Sequence, residues 1–415
     1  MPLIESLLLL LLLSRAIGEV SEYFGQPSMI GEIAAGVLLG PSILGAVHYT
    51  SEIQAVAQLG VLLLVFIAGM EMDMDVLWKA VRGRGILIGV AGFTFPMVLG
   101  ILVGLVFGMN ATRAVFVGLC IAITALPVSV RILMGLGKLQ TETGKRIISA
   151  AILNDVTALL ILGVILDVKR KGGAPAAAFI SMGEALVKAV GFMAVVVIAA
   201  RLIKRFSRER FVRSREMASQ WLAKLKGRET IFALVLLFVM AFASFSEALG
   251  MHFVVGAFFG SMLLSHEVVG KAKFLEIQKT ATDITFGFLG PIFFAAIGLE
   301  FDAASLKDWK LVVAILVAAV TGKILGGYVG GRMAKLSSAE SWAAGIGMNG
   351  RGIMELVIAN VALSNGFIER QLFTILVLMA VATTFVTPPL LKWAFSRIPA
   401  TGPEVRDAVP AAEIP

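Results

Sequence analysis

The stretch Phe66-Ile67-Ala68-Gly69-Met70-Glu71-Met72-Asp73 returns as Ala295-Ala296-Ile297-Gly298-Leu299-Glu300-Phe301-Asp302, a shift of 229 residues (302 − 73). Upstream, Glu22-Tyr23-Phe24-Gly25 returns as Glu247-Ala248-Leu249-Gly250, a shift of 225 (250 − 25). Two segments in the same order at nearly one offset mark a duplicated unit. Duplication inside an apolar chain is the mark of a secondary transporter, whose substrate site lies where the copies meet.

Composition narrows the class. With 58% hydrophobic and 15% charged residues in 415, the chain could not cover its own apolar surface as a soluble protein, so it belongs among polytopic membrane proteins. The single Cys120 excludes an internal disulfide, and its apolar setting speaks against a redox or metal role. Met1 to Leu13 lacks a basic n-region, carries Glu5 and runs into Ser14-Arg15 without a small-residue cleavage site, so it reads as a retained first helix. The net charge of +8 could suggest nucleic acid, but the cations sit in loops, above all from Lys204 to Arg228. That placement is an orientation signal. The stretch reads as a cytoplasmic linker, with an interfacial helix on anionic lipid as the alternative.

Runs of roughly 18–25 apolar residues are long enough to cross hydrocarbon. About thirteen appear, at 3–21, 28–47, 56–71, 85–108, 112–137, 143–167, 176–203, 230–249, 251–265, 281–299, 309–333, 339–364 and 369–395. They divide as six, one and six. The odd helix delivers the second unit upside down, so the repeats are inverted. The expected organisation is a six-helix repeat over 1–168, a linker helix and basic segment over 169–229, a second repeat over 230–397 and a disordered tail over 398–415. The basic loops place the N-terminus outside and the C-terminus in the cytoplasm.

Helical rise sets the depth of each polar residue inside a span. Asp155 lies about 14 Å in, Thr124 about 18 Å, Lys323 about 21 Å and Asn349 to Arg351 about 15–18 Å. In hydrocarbon ~30 Å thick, all of them meet near the middle. A carboxylate at that depth is costly and faces a cavity where it works. Burial favours its neutral, protonated form and a bound cation favours the ionised form, so proton and cation compete for Asp155. Alkali ions want oxygen ligands, which Asp155 offers together with Asn154, Thr124, Thr157 and freed carbonyls. Ile123-Thr124-Ala125-Leu126-Pro127 and Gly345-Ile346-Gly347-Met348-Asn349-Gly350-Arg351-Gly352 fall on corresponding spans. Pro127 and the glycines interrupt those helices, and paired interruptions in two halves point to the binding site. Lys323 stands as a lone cation that pairs with Asp155, carries a second proton or bonds half-helix carbonyls. Arg351 and Glu355 are spaced to pair along one face. Glu32 and Arg131 read as inter-helix partners.

Met29-Ile30-Gly31-Glu32-Ile33-Ala34-Ala35-Gly36-Val37-Leu38-Leu39-Gly40-Pro41-Ser42 resembles the second-helix signature of the monovalent cation:proton antiporters of the Kef/NapA branch. The segments around Thr124 to Arg131, Asn154-Asp155 and Asn349 to Glu355 are similar to that family in the same order, over about residues 5–395. The resemblance implies an all-α NapA-like fold with a dimerisation domain and a mobile core domain holding two crossed, broken helices. It also implies a homodimer and elevator-type alternating access. Asp155 matches the family's ion-binding carboxylate, Thr124 the polar residue at the first crossing and Lys323 the core lysine. Asn154 stands where many electrogenic members have Asp, whereas Lys323 is unusual in electroneutral ones. The expected function is exchange of Na⁺ or K⁺ for H⁺ across a prokaryotic cell membrane, by a transporter and not an enzyme. It needs no cofactor beyond the ions carried and no nucleic-acid partner. A channel-like cation pathway and a transport-dead sensor are the other readings.

Overall fold

In the computed structural model the described residues are 2–71, 83–139, 141–170, 187–188, 191–192, 194–198, 201, 228–249, 252–264 and 270–398, and they are helical without strands. The first half contributes α1 (Leu3–Tyr23), α2 (Ser28–Leu39), α3 (Ser51–Met70), α4 (Gly85–Val106), α5 (Ala111–Ala122), α6 (Leu126–Gly135) and α7 (Glu142–Arg170). The second contributes α8 (Arg228–Ala248), α9 (Phe253–Met262), α10 (Lys271–Ile284), α11 (Gly290–Glu300), α12 (Trp309–Met333), α13 (Ser338–Gly347), α14 (Ile353–Ser364) and α15 (Arg370–Ser396). A π-helical turn, Thr285–Leu289, joins α10 to α11 as one span. Seven of these spans are long and apolar enough to cross a membrane unaided. The expected spans 112–137 and 339–364 are each split into two half-helices, α5/α6 and α13/α14. Most of the expected linker helix, the basic segment 204–227 and the tail beyond 398 lie outside the described residues. Phe192 and Val196 of the linker are buried, and the Phe192 ring lies 5.9 Å from that of Phe259 on α9.

Glycines write the duplication into the packing. A Cβ added to Gly31 of α2 would overlap the Ile17 carbonyl oxygen of α1, and one added to Gly256 of α9 would overlap the Phe242 carbonyl oxygen of α8. Both residues of the pair shift by 225 (256 − 31 and 242 − 17). Gly298 of α11 presses on the Ile33 carbonyl of α2, and Gly69 of α3 on the Phe258 carbonyl of α9, again in register. The next helices repeat at 227: Gly100 against Gly118 becomes Gly327 against Gly345, and Gly118 against the Met97 carbonyl becomes Gly345 against the Ile324 carbonyl. Even the caps correspond. Asn110 accepts from Arg113 N at 2.9 Å to start α5, and Ser337, 227 residues on, starts α13 in a reciprocal box with Glu340. Without a hydrophobic drive between helices in lipid, such small-residue contacts let backbones approach and lock one register.

The inversion is visible where corresponding helices meet. Gly322, Gly326 and Gly330 of α12 lie against Pro96, Ala91 and Leu87 of α4, so the two run antiparallel. Spatially the repeats interleave into two bundles. One holds α1–α3 with α8–α11, the other α4–α7 with α12–α15, and contacts are dense within each and sparse between them. Gly298→Ala is expected to destabilise the protein by about 2 kcal/mol through overpacking against the α2 backbone. A thermal midpoint in detergent checks this, with Gly18→Ala as control, since its added Cβ meets its nearest neighbour at an ordinary 3.5 Å.

Candidate ion-binding site

Both interrupted helices break at the same place in the fold. α5 ends at Ala122, and Ile123 is extended before α6 begins at Leu126. α13 ends at Gly347 and α14 begins at Ile353, after an extended Gly352. The two breaks bond to each other: Ala125 N donates to Gly350 O at 3.0 Å, Thr124 Oγ1 to Met348 O at 3.1 Å and Ser129 Oγ to Gly347 O at 3.2 Å. Helix ends carry orphan donors and acceptors that lipid cannot satisfy, so each break supplies the other's partners. Glycine is needed at the crossing, since a Cβ on Gly352 would come within 2.6 Å of the Ala125 Cβ.

Lys323 is fully buried, and its ammonium has three acceptors. It donates to Thr124 Oγ1 at 2.6 Å, to Gly92 O at 3.2 Å and to Ala122 O. Two of these are carbonyls that helices normally use themselves. Ala122 is the last residue of α5, where a cation favours the helix dipole. Gly92 O would accept from residue 96 in an uninterrupted helix, but Pro96 has no N–H to give. Lys323 fills that vacancy. Among the described residues Lys323 makes no ion pair with Asp155, so of the three readings of the lysine its geometry is that of a cation bonded to half-helix carbonyls.

Thr124 is equally committed. Its hydroxyl donates to Met348 O while accepting from Lys323 Nζ and from Asn154 Nδ2 at 3.2 Å. A hydroxyl has one donor and two lone pairs, so no lone pair remains for an ion in this state. The expectation that Thr124 supplies a ligand oxygen therefore gives way to a role in bracing the crossing and Asn154.

Asp155 is different. It is 2% exposed, its Oδ1 has no partner, and the N–H of Leu126 at the start of α6 is a hydrogen-bond partner of its carboxylate. A helix N-terminus facing a carboxylate holds negative charge in place. Asp155 lines a cavity with Ala68, Glu71, Ala125, Leu126 and Met354. Its volume is about 10 Å³, room for about one water. Ala68 and Glu71 belong to the first bundle and the others to the second, so the cavity sits in the seam between them. At the end of α11, which the inversion places on the opposite side from the end of α3, the seam is bridged. Asp302 N donates to Thr374 Oγ1 of α15 at 3.1 Å.

The remaining candidates fall around this core. Arg351 is fully buried, pairs with Glu355 at 3.4 Å as its spacing suggests, and donates from Nη1 to Cys120 O at 2.6 Å. Asn349 donates to Thr387 Oγ1 at 3.3 Å, on α15 and not toward Asp155. Thr157 lies outside the site because, at about 100° per residue, it is turned about 200° around α7 from Asp155. Glu32 is buried on α2 without a hydrogen bond or ion pair among the described residues, and the charge of Arg15 on the neighbouring helix α1 acts on it. Pro127 and Arg131 sit on α6, and their side chains lie outside the described residues. Sequence reasoning missed Glu71, although it closes the helix of the repeated motif, and missed Pro96, whose signal was its placement four residues after Gly92 in an apolar span.

Inverted repeats, crossed helix breaks and a buried carboxylate in the seam between two bundles define a polytopic membrane protein of the transporter class. The family model described as "Sodium/hydrogen exchanger, transmembrane" matches residues 7–397, and the chain belongs to that family. It is 31% identical to the Na⁺/H⁺-K⁺ antiporter GerN of Bacillus cereus, covering 93% of this chain and 95% of that one. It is 27% identical to a Na⁺/H⁺ antiporter of Enterococcus hirae, covering 94% and 98%. Among solved structures, the sodium proton antiporter MjNhaP1 from Methanocaldococcus jannaschii superposes with a TM-score of 0.71 at 15% identity, covering 94% and 96%. That likeness speaks for the fold.

Proposed function

We propose that the protein exchanges a monovalent cation, Na⁺ or K⁺, for H⁺, with both competing for Asp155. The observation that carries this reading is the unpartnered Oδ1 of Asp155 in a one-water cavity between the bundles. A buried carboxylate with a free oxygen takes either a proton or a cation, and each excludes the other. Glu71 offers a second carboxylate on the opposite wall. Family membership and the antiporter activity named for the relatives in Bacillus and Enterococcus support the same reading.

The seam supplies the access route. The Asp155 cavity lies at the end of α3 and the seam is bridged at the end of α11 by Asp302 and Thr374, so sliding one bundle against the other would change the side from which Asp155 is reached. With the N-terminus outside, the end of α3 is cytoplasmic. The stationary bundle would form a homodimer while the bundle of α4–α7 and α12–α15 moves. Asn154 is uncharged, and all three donors of Lys323 are taken, so of these three groups only Asp155 changes protonation. One proton then leaves for each cation that enters, and an imposed voltage does no net work, where an unbalanced charge would contribute ~2.3 kcal/mol per 100 mV.

Purified protein in liposomes with an imposed pH gradient tests this. The expected result is saturable proton movement on adding Na⁺ or K⁺, at a rate indifferent to a valinomycin-set potential when Na⁺ is the driving ion. Cation flux that does not saturate and moves no protons would make the protein a pore. No flux with any alkali cation would end the antiporter reading.

A further inference from the structure

The repeat that sets Glu71 beside Asp155 sets a second carboxylate at the other end of the seam, since Glu71 returns as Glu300 at the shift of 229 (300 − 71). Glu71 follows α3 and lines the Asp155 cavity with Leu126 and Ile353, the first residues of α6 and α14. Those two residues are each other's counterparts at 227 (353 − 126). The inversion therefore carries the pair Leu126 and Ile353 onto itself and exchanges Glu71 for Glu300.

Glu300 ends α11, is 8% exposed, and its Oε2 has no hydrogen-bond partner. The groups around it come from both sides of the seam. Its charge acts on Tyr49, just before α3, and Asn360 of α14 is a hydrogen-bond partner of that tyrosine. The charge of Arg370, the first residue of α15, acts on Glu300 itself. Asn360 follows Ile353 by seven residues (360 − 353). Seven residues make about two turns, so both stand on one face of α14, about 10 Å apart. Sliding the second bundle by about 10 Å toward the end of α11 would set Ile353 at the level that Asn360 now holds. The same movement would carry Arg370 away from Glu300.

We infer that Glu300 binds the monovalent cation in the opposite access state, where it takes the place of Glu71 in the wall of the Asp155 cavity. This rests on the exchange function proposed above. A buried carboxylate is costly unless a cation stands near it. Arg370 is that cation while the cavity lies at the end of α3, and the transported ion is that cation once α15 has withdrawn Arg370. With the N-terminus outside, Glu71 serves the cytoplasmic face and Glu300 the outer face.

The test uses the full chain in everted and in right-side-out membrane vesicles from host cells that lack antiporters of their own. Na⁺ or K⁺ added to the bath meets the cytoplasmic face in the first and the outer face in the second, and proton movement is read against cation concentration. Glu300→Gln should raise the half-saturating concentration at the outer face about tenfold, the effect of one charge within about 10 Å at an effective dielectric constant of about 20. At the cytoplasmic face that value should change less than about twofold, as for charges screened across the bilayer by solvent. Glu71→Gln should do the reverse, a division by face that a purely structural role would not produce. The two variants acting on swapped faces would correct the orientation and support the pairing. Wild-type exchange that Glu300→Gln leaves unchanged, or alters equally at both faces, overturns the role of Glu300 and leaves the exchange function standing. A wild type without exchange overturns both. Should Glu300→Gln not fold, Arg370→Gln at its exposed position decides. Loss of the cation that favours the present state should lower the half-saturating concentration at the outer face about threefold, as for an exposed charge pair, and no change or a rise would overturn the proposal.

Discussion

Asp155→Asn is expected to bring cation-driven proton movement down to that of protein-free liposomes, a loss of at least about 100-fold, while the protein keeps its fold. Both halves follow from the same geometry. The amide cannot take up or release a proton and carries no charge to hold a bare cation, so it removes both sides of the competition. The fold survives because Oδ1 has no protein partner to lose and the amide has nearly the same shape. A neutral group is also cheaper to bury than a carboxylate, so the thermal midpoint should stay or rise. A drop in midpoint together with activity would mean that Asp155 serves the fold, and exchange that persists in Asp155→Asn would move the carrier role, with Glu71 next in line. Asp155→Glu keeps the charge but lengthens the side chain into a cavity of about 10 Å³. It should therefore raise the cation concentration needed for half-maximal rate more than it lowers the maximal rate.

How much of this could be read from the sequence depended on whether a feature was local. The repeat was legible at Gly69 and Gly298 because each sits in a motif long enough to match by eye. The equally regular 227-residue register of Gly100 and Gly118 with Gly327 and Gly345 was not, since isolated glycines in apolar helices carry no neighbouring letters to align. Depth alone brought Asp155, Thr124, Lys323 and Asn349 to one level, and the crossing helices account for that agreement. Depth says nothing about direction, however. Thr157 is at the right depth on the wrong face of α7, and Asn349 turns to α15. Glu71 lay in plain view at the end of a span, where a carboxylate reads as solvated. Only the approach of α6 and α14 makes it a wall of the Asp155 cavity.

Lys323→Met should lower stability by about 2 kcal/mol, at about 1 kcal/mol for each of the two carbonyls, Gly92 O and Ala122 O, left without a donor, since Thr124 Oγ1 keeps Asn154 Nδ2. The acceptors are not equivalent, which makes the role of the lysine measurable. Gly92 O lacks a partner only because residue 96 is proline, so Pro96→Ala would return the helical N–H to it. In the Lys323→Met background Pro96→Ala should therefore recover about 1 kcal/mol, and in the wild type less, because Lys323 already serves that oxygen. Thermal midpoints of the four proteins give the coupling directly. If Lys323 is held as a permanent cation at the end of α5, Lys323→Met protein that still folds should exchange one cation for one proton, as the wild type does. A wild type that responds to voltage, together with a Lys323→Met variant that does not, would show that the lysine carries a proton after all. In that case the bonds to Ala122, Gly92 and Thr124 would belong to one state of the cycle, and Lys323 would have to leave them to release its proton.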